Sequence, residues 1–186
     1  MELCPITSDH VYYAQFEQLM ESAFPVEERR SHENQRMVTD TNANFHPCAL
    51  LQNKEFVGLI TYWQGPGFVY VEHFATLPSL RGGGLGREAL ALLFSRVGCP
   101  VVLEVEPPLD DLKQRRIRFY ERNGFQLWQN SSYLQPPYQK GLSPVRLLLM
   151  AYGALDEEAD FACLRSWIHK EVYGFLSPLL DDSGLK

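Results

Sequence analysis

A run of glycines between a strand-like and a helix-like segment constrains the fold of this chain more than any other feature. Four glycines fall within the five residues Gly82 to Gly86. The preceding run, Phe68 to Thr76, is strand-like, and the residues from Arg87 to Phe94 have helical propensity and spacing. Glycine lets a backbone approach a ligand closely, and a helix amino terminus offers unpaired N–H groups to an anion. The sequence predicts an anion-binding turn, with a turn that binds nothing as the alternative.

The residues before this turn predict a helix and then an antiparallel meander. Ser8 is a candidate cap for a helix that Pro25 stops. Glu27 to Asp40 is dense in charge, with only Met37 and Val38 to bury, and predicts either a solvated helix or a mobile segment that serves as a lid. The predicted strands are Ala49–Gln52, Phe56–Trp63 and Phe68–Thr76, with a hairpin turn at Asn53-Lys54-Glu55.

The residues after the turn predict alternating strands and helices. Val101–Val105 is a buried strand, and a helix follows from Asp110 to Arg122, where Asn123-Gly124 ends it. Phe125–Trp128 and Val145–Tyr152 predict closing strands around an aromatic loop, Ser131 to Pro144. Asp156 then caps a last helix that reaches about Gly174.

Composition excludes several classes of protein. Lys and Arg total 17 against 23 Asp and Glu, a net charge of −6, whereas chains that bind nucleic acid are usually basic. The longest apolar runs are far shorter than a membrane span, and the amino terminus has no export signal. The four cysteines are scattered, without metal-ligand spacing. We expect a cytoplasmic protein without a metal, and with no membrane or nucleic-acid partner.

One alternative is a dinucleotide-binding enzyme of the Rossmann type. Gly84-Leu85-Gly86-Arg87-Glu88-Ala89 satisfies the pattern G-x-G-x-x-A, and Glu104 follows about 20 residues later, where it would bind a ribose. The pattern normally lies in the opening βαβ unit and directly follows its strand. Here a meander comes first and Leu77 to Arg81 intervenes, which argues against this alternative.

Two motifs together resemble the GNAT superfamily of N-acyltransferases. Arg81-x-x-Gly84-x-Gly86 resembles its acyl-CoA signature, and the run from Phe119 to Phe125, FYERNGF, resembles its second motif. The resemblance extends from the amino terminus to about Tyr152. It implies an α/β (α+β) fold with a central mixed, mostly antiparallel twisted sheet flanked by helices. We divide the chain into a GNAT-like domain, 1–152, and a C-terminal helical extension, 153–186, packed on the same domain or on a partner.

The resemblance implies a role for each matching residue. Tyr120 is the general acid for the departing thiolate, with a core aromatic as the alternative. Glu72 is the general base, with a surface carboxylate as the alternative, and Glu104 or Glu106 could assist or replace it. The implied cofactor-binding residues are Phe74, Ala75, Thr76, Arg81, Gly82, Gly83, Gly84, Leu85, Gly86 and Arg87. The family often has an Asn near Lys113, so this chain departs from the family pattern there. His73 alternates to the other strand face and is expected to be structural unless a bulge reorients it.

The expected activity is transfer of an acetyl group from acetyl-CoA to a primary amine by direct attack. A non-catalytic domain that binds acyl-CoA as a regulatory ligand is the second hypothesis. The acceptor is a small-molecule or peptide amine, and a homodimer is left open. The basic helix residues Arg115, Arg116 and Arg118 are expected mostly to form a solvated face.

Overall fold

Eight strands and five α-helices form in residues 1–139 and 141–174, the part of the chain that the computed structural model describes. The chain divides into two compact units, residues 1–101 and the residues from Val102 onward. The division after Tyr152 that the sequence suggested stays a prediction.

The first unit contains four strands and three α-helices among its described residues. In chain order these are β1 (Glu2–Pro5), α1 (Tyr13–Ala23), α2 (His32–Thr41), β2 (Phe45–Gln52), β3 (Glu55–Gln64), β4 (Val69–Thr76) and α3 (Leu85–Val97). Short 3-10 turns lie at Val26–Glu28 and Pro78–Leu80.

The strands of the first unit pair in chain order, and every pair is antiparallel, as the meander predicted. The hairpin between β2 and β3 turns at Asn53 and Lys54, whose φ angles are 52° and 66°. Left-handed residues at both central positions match the twist of a two-residue hairpin. One face of the sheet packs against α1 in a core that includes Phe16, Leu19 and Leu59, which are 0 to 3% exposed.

Three details of the first unit differ from the sequence expectations. Ser8 does not cap α1, because its N–H and hydroxyl both bind the carboxylate of Asp40, and the helix begins at Tyr13 without a side-chain cap. The strand β1 was not predicted, and β2 begins at Phe45 rather than Ala49.

Of the two alternatives for the charged segment from Glu27 to Asp40, the helix is the one observed: α2 follows a 3-10 turn at Val26–Glu28. Ser31 caps α2 by accepting from the N–H of Asn34. Gln35, Val38 and Thr39 are buried, whereas Met37 is 58% exposed. Of the two apolar residues that the segment offered for burial, only Val38 is buried, and the polar residues Gln35 and Thr39 share the inner face of this helix with it.

The second unit contains the remaining elements: β5 (Val101–Val105), α4 (Asp111–Arg122), β6 (Gln126–Leu127), β7 (Tyr133–Gln135), β8 (Val145–Tyr152) and α5 (Glu157–Glu171). Asp110 caps α4 by accepting from the N–H of Lys113, and Asp156 caps α5 in the same way from Ala159. The predicted cap at Asp156 is confirmed. The strands β6 and β7 both pair antiparallel with β8. Sequence analysis gave the residues of β7 only as part of an aromatic loop.

The predicted fold class is confirmed: the chain is a mixed α/β protein whose strands are mostly antiparallel and whose helices flank them. Within residues 1–139 and 141–174, no helix is long and apolar enough to cross a membrane.

Candidate active site

The glycine turn leads directly into α3. Gly82 and Gly84 have φ angles of 86° and 83°, in the left-handed region where only glycine is unstrained. A Cβ atom built on either residue meets no atom within 4 Å, so the space over the backbone is open. Gly84 is the N-cap residue of α3, and its carbonyl accepts from the N–H of Glu88 at 3.1 Å. The turn is thus shaped by backbone geometry, and its open side fits an anion at the helix amino end.

The side chains around the turn are of two kinds, one buried and apolar and the others exposed and charged. Leu85 is 7% exposed and packs into the core, so only its backbone is available to a ligand at this turn. Arg81 and Arg87 are exposed on either side of the glycines. The arrangement fits the pyrophosphate of a coenzyme, since it combines open backbone, helix N–H groups and two guanidinium groups.

The carboxyl end of β4 presents backbone N–H groups in alternating directions. Leu77 N–H donates to the Val57 carbonyl of β3 at 2.9 Å. Opposed residues in an antiparallel pair alternate between bonded and non-bonded, so Ala75 N–H also points toward β3. The N–H groups of Phe74 and Thr76 therefore point away from β3, the orientation that a role toward substrate requires.

A β-bulge falls at Glu72. Thr61 of β3 pairs with His73, and the next residue, Tyr62, pairs with Val71, so Glu72 is the extra residue of β4. Bulges re-aim side chains and are over-represented next to active sites. Glu72 contacts Arg30 and His73 contacts Glu28, so both residues contact the segment between α1 and α2.

Glu72 forms a buried ion pair. Its side chain has no exposure, and its Oε1 lies 2.7 Å from Nη1 of Arg30, whose side chain is 8% exposed. The indole Nε1 of Trp63 donates to the other carboxylate oxygen at 3.1 Å. The Arg30 guanidinium also lies 5.4 Å from the Trp63 ring centroid and 5.8 Å from that of Phe45. The hydrogen bond from Trp63 and the two ring contacts offset part of the cost of burying this pair.

His73 is 2% exposed, and both its ring nitrogens and its backbone N–H lie close to polar atoms of other residues. Its Nε2 lies 2.8 Å from the Glu28 carbonyl oxygen, which can only accept, so Nε2 carries the proton. Its Nδ1 then faces the Thr61 hydroxyl at 3.3 Å, and its backbone N–H donates to the same hydroxyl at 3.1 Å. The edge of the Phe24 ring packs on the imidazole. These contacts are those of a structural residue.

Tyr120 lies in the last turn of α4 and is 8% exposed. Its ring centroid is 5.2 Å from that of Phe119 and 5.4 Å from that of Phe125. Burial raises the pKa of Tyr120 to about 12. The phenol is therefore fully protonated at neutral pH, the state that a proton donor needs.

Glu104 lies in β5 and Glu106 directly follows its last residue, and the two carboxylates have different partners. Glu106 binds Nη1 of Arg116 at 2.7 Å and Nζ of Lys113 at 3.3 Å. Glu104 accepts hydrogen bonds from the phenols of Tyr133 and Tyr173. Sequence analysis had placed Tyr133 only in a loop with pocket-wall composition, and it missed Tyr173 because 69 residues separate it from Glu104.

A cleft between α1 and α2 was not foreseen. Its lining residues are Glu17, Met20, Glu21, Arg29, Arg30, His32 and Gln35. His32 lies between two carboxylates, with Nδ1 3.0 Å from Glu17 and Nε2 2.5 Å from Glu21. The signal available in the sequence was the pair of glutamates four residues apart on one helix face. Within the described ranges, no cluster of three or more His, Cys, Asp or Glu side chains could hold a metal ion.

The mixed sheet and the open glycine turn at the amino end of α3 point to one class of protein, the coenzyme-dependent group transferases. The acetyltransferase (GNAT) family model matches residues 13–125. The chain belongs to this family, and its reaction class is acyl transfer. The dinucleotide alternative is overturned, because the glycine pattern falls inside the segment that the GNAT model matches.

Solved structures agree with this assignment. A GNAT-family acetyltransferase from Bacteroides thetaiotaomicron is 43% identical, with a TM-score of 0.90 over 94% of this chain and 99% of its own. An aminoglycoside 6'-N-acetyltransferase complexed with coenzyme A is 16% identical, with a TM-score of 0.59 over 84% of this chain and 98% of its own. A GNAT acetyltransferase from Elizabethkingia anophelis with acetyl-CoA bound is 12% identical, with a TM-score of 0.56 over 81% of this chain and 96% of its own. Among curated protein sequences, none matches this chain significantly.

Proposed function

We propose that this protein transfers an acetyl group from acetyl-CoA to a primary amine by direct attack. The observation that carries the proposal is the turn at Gly82 and Gly84, where left-handed backbone and open space lie at the amino end of α3. The chain's membership in the GNAT family supports the donor class. We expect a small-molecule or peptide amine as acceptor, a cytoplasmic location, and no metal, nucleic-acid or membrane partner; a homodimer is left open.

The turn binds the pyrophosphate of the donor in this proposal. The glycines Gly82, Gly83, Gly84 and Gly86 leave the backbone open, and N–H groups from Leu85 onward point along the helix axis toward the anion. Arg81 and Arg87 supply positive charge, and both are exposed before the donor binds. Binding energy at this turn holds the thioester in place for the reaction.

The end of β4 orients and polarises the thioester. The N–H groups of Phe74 and Thr76 point away from β3 and are the proposed donors to its carbonyl oxygen. Such donors stabilise negative charge that develops on the oxygen as the amine attacks. Ala75 lies between these two residues, and its pairing with Leu59 of β3 holds this part of the strand in place.

Tyr120 protonates the departing sulfur. Its buried phenol stays protonated because its pKa is raised to about 12. An acid of this kind contributes when negative charge forms on the thiolate, and so acts on the transition state rather than on donor binding.

A carboxylate must take a proton from the acceptor, because amines are protonated at neutral pH. Glu72 is the base that the family resemblance implies, and Glu104 and Glu106 are the other candidates. Glu72 forms an ion pair with Arg30, and Glu106 forms ion pairs with Lys113 and Arg116. The partners seen at Glu104 include two phenols. Glu72→Gln and Glu104→Gln variants separate the first two, since only loss of the base removes the acidic limb of the kcat/KM profile.

Two measurements test the proposal. Calorimetry should show acetyl-CoA binding in the micromolar range, and a panel of primary amines should release CoA thiol in the presence of the protein. Binding without turnover on any amine would support the regulatory hypothesis, in which the domain only senses acyl-CoA. Absence of acyl-CoA binding contradicts both hypotheses.

A further inference from the structure

The hydroxyl group of Thr61 ties the bulge of β4 to β3. Thr61 is 0% exposed and pairs with His73, next to the point at which the register of the two strands shifts. Its Oγ1 accepts the backbone N–H of His73 at 3.1 Å and lies 3.3 Å from Nδ1 of the same residue. Because Nε2 carries the ring proton, Nδ1 is an acceptor and the hydroxyl donates to it. The hydroxyl therefore fixes both the backbone and the ring of His73.

The other ring nitrogen of His73 is bound to the segment between α1 and α2. Nε2 donates to the Glu28 carbonyl at 2.8 Å. The Phe24 ring meets the imidazole edge-on, with the ring centroids 4.7 Å apart. The imidazole is thus held between this segment and the Thr61 hydroxyl, so loss of the hydroxyl removes the contacts on the β3 side.

The position of the bulge sets the direction of the N–H groups that follow it. Beyond the bulge, Ala75 pairs with Leu59 of β3. The N–H groups on either side of Ala75, those of Phe74 and Thr76, point away from β3. If the bulge moved toward the end of β4, the residues that it passed would pair with β3 in the other register, and their N–H groups would reverse direction. A contact that fixes the bulge therefore also fixes which N–H groups the end of β4 presents.

We propose, on the basis of the acyl transfer proposed above, that Thr61 is a positioning residue for the thioester. Because it is fully buried, it acts through His73 and the bulge. The N–H groups at the end of β4 are aimed at the thioester carbonyl oxygen only while the bulge stays at Glu72. These donors oppose the negative charge that develops on that oxygen, so Thr61 affects the reaction more than the binding of the coenzyme.

The test uses the full chain and a matched buried threonine as a control. Thr61→Val removes the hydroxyl and keeps the branched shape of the side chain, whereas Thr61→Ser keeps the hydroxyl. Thr39 on α2 is 8% exposed, and its hydroxyl accepts from Nε2 of Gln35 at 3.4 Å. Thr39→Val therefore removes a buried hydroxyl from a different element.

Steady-state kinetics with acetyl-CoA and an amine that the wild-type protein acetylates give the first readout. Thr61→Val should lower kcat by about ten to a hundred fold, the scale of a misplaced donor group. The KM for acetyl-CoA should change by less than about threefold, because the lost interaction belongs to the transition state. Thr61→Ser and Thr39→Val should keep a kcat near that of the wild type.

The infrared spectrum of bound acetyl-CoA with an isotopic label at the acetyl carbonyl gives the second readout, which needs no acceptor. Hydrogen bonds lower the stretching frequency of a carbonyl group. The frequency should lie below that of free acetyl-CoA in the wild type, Thr61→Ser and Thr39→Val. In Thr61→Val it should rise toward the free value, a change that a general loss of stability does not produce.

Each outcome decides the question. The wild-type frequency in a folded Thr61→Val variant, equal shifts in Thr61→Val and Thr39→Val, or a wild-type frequency equal to the free value overturns the proposal. If Thr61→Val fails to fold by circular dichroism, Thr61→Cys is compared with Thr61→Ser, because the thiol is the weaker hydrogen-bonding group. A higher frequency with cysteine supports the proposal, and an equal frequency overturns it. A wild-type protein that binds no acyl-CoA contradicts the proposed function itself, a result separate from wild-type binding with an unaffected Thr61→Val variant.

Discussion

The Nη1 atom of Arg30 lies 2.7 Å from Oε1 of Glu72, and neither side chain is more than 8% exposed. A residue between two helices is thereby joined to the bulge of β4. Removal of one partner leaves the other charge buried, and this costs more than the intact pair contributes.

We expect Arg30→Met to lower the free energy of unfolding by about 3 to 5 kcal/mol, the usual cost of breaking a buried pair. Arg36 offers a matched control, because its pair with Glu17 is 53% exposed on the arginine side. Arg36→Met should cost less than about 1 kcal/mol, as exposed pairs do. Urea unfolding at neutral pH measures the free energy of unfolding of both variants. Equal losses of stability would show that the Arg30 pair behaves like a surface contact.

A second prediction concerns the glycine turn. Gly84 and Gly98 cap the two ends of α3, with φ angles of 83° and 60°, and a Cβ on either meets no atom within 4 Å. Valine at each position should cost about 1 to 2 kcal/mol of stability from left-handed strain. Only Gly84→Val should also weaken acetyl-CoA binding, because it closes the approach to the backbone. Calorimetry measures the acetyl-CoA affinity of both folded variants. Equal affinities would show that the glycine turn does not bind the donor.

The sequence predicted the elements whose signals are local. The meander, the glycine turn, α4 with its start near Asp110 and its end near Gly124, and the cap of α5 at Asp156 all depend on residues close in the chain. Ser8 was assigned wrongly because Asp40, 32 residues away, competes for its hydroxyl. A local capping rule does not include such a partner.

The candidate site was also predicted only in part. Candidate residues at the turn and at Tyr120 follow from motif spacing, but their partners do not. The ion pair of Glu72 with Arg30 depends on the bulge in β4, which the strand period of two does not show. The contact of Tyr173 with Glu104 spans 69 residues and has no periodic signal at all.

A third prediction concerns Tyr120. Tyr120→Phe keeps the ring in its aromatic cluster and removes only the proton donor, so single-turnover transfer should slow by about 10² to 10⁴ fold. Acetyl-CoA affinity should change little, because the interaction forms in the transition state. Tyr152→Phe is the control, since its ring contacts the same Phe125 at 5.8 Å. Transfer at the wild-type rate by Tyr120→Phe would make this residue a core aromatic.

The last prediction uses His32, which joins α2 to two glutamates of α1. Its hydrogen bond with Glu17, followed by smaller effects of Glu21, raises the pKa of His32 above its ordinary value of 6.5. A raised folded pKa stabilises the protein fully below the unfolded value and loses that contribution as pH rises through the folded one. The stability difference between wild type and His32→Asn should therefore be largest below about pH 6 and shrink toward pH 9.

His46 provides a control of opposite sign for that measurement. Burial lowers its pKa, so folding opposes its protonation and the wild type loses stability as pH falls. Relative to wild type, His46→Asn should gain stability with falling pH, while His32→Asn loses it. Urea unfolding of the three proteins between pH 5 and pH 9 tests the two directions together. The same direction in both variants would mean that the pH dependence arises from other groups, and that the bridge at His32 does not hold α2 against α1.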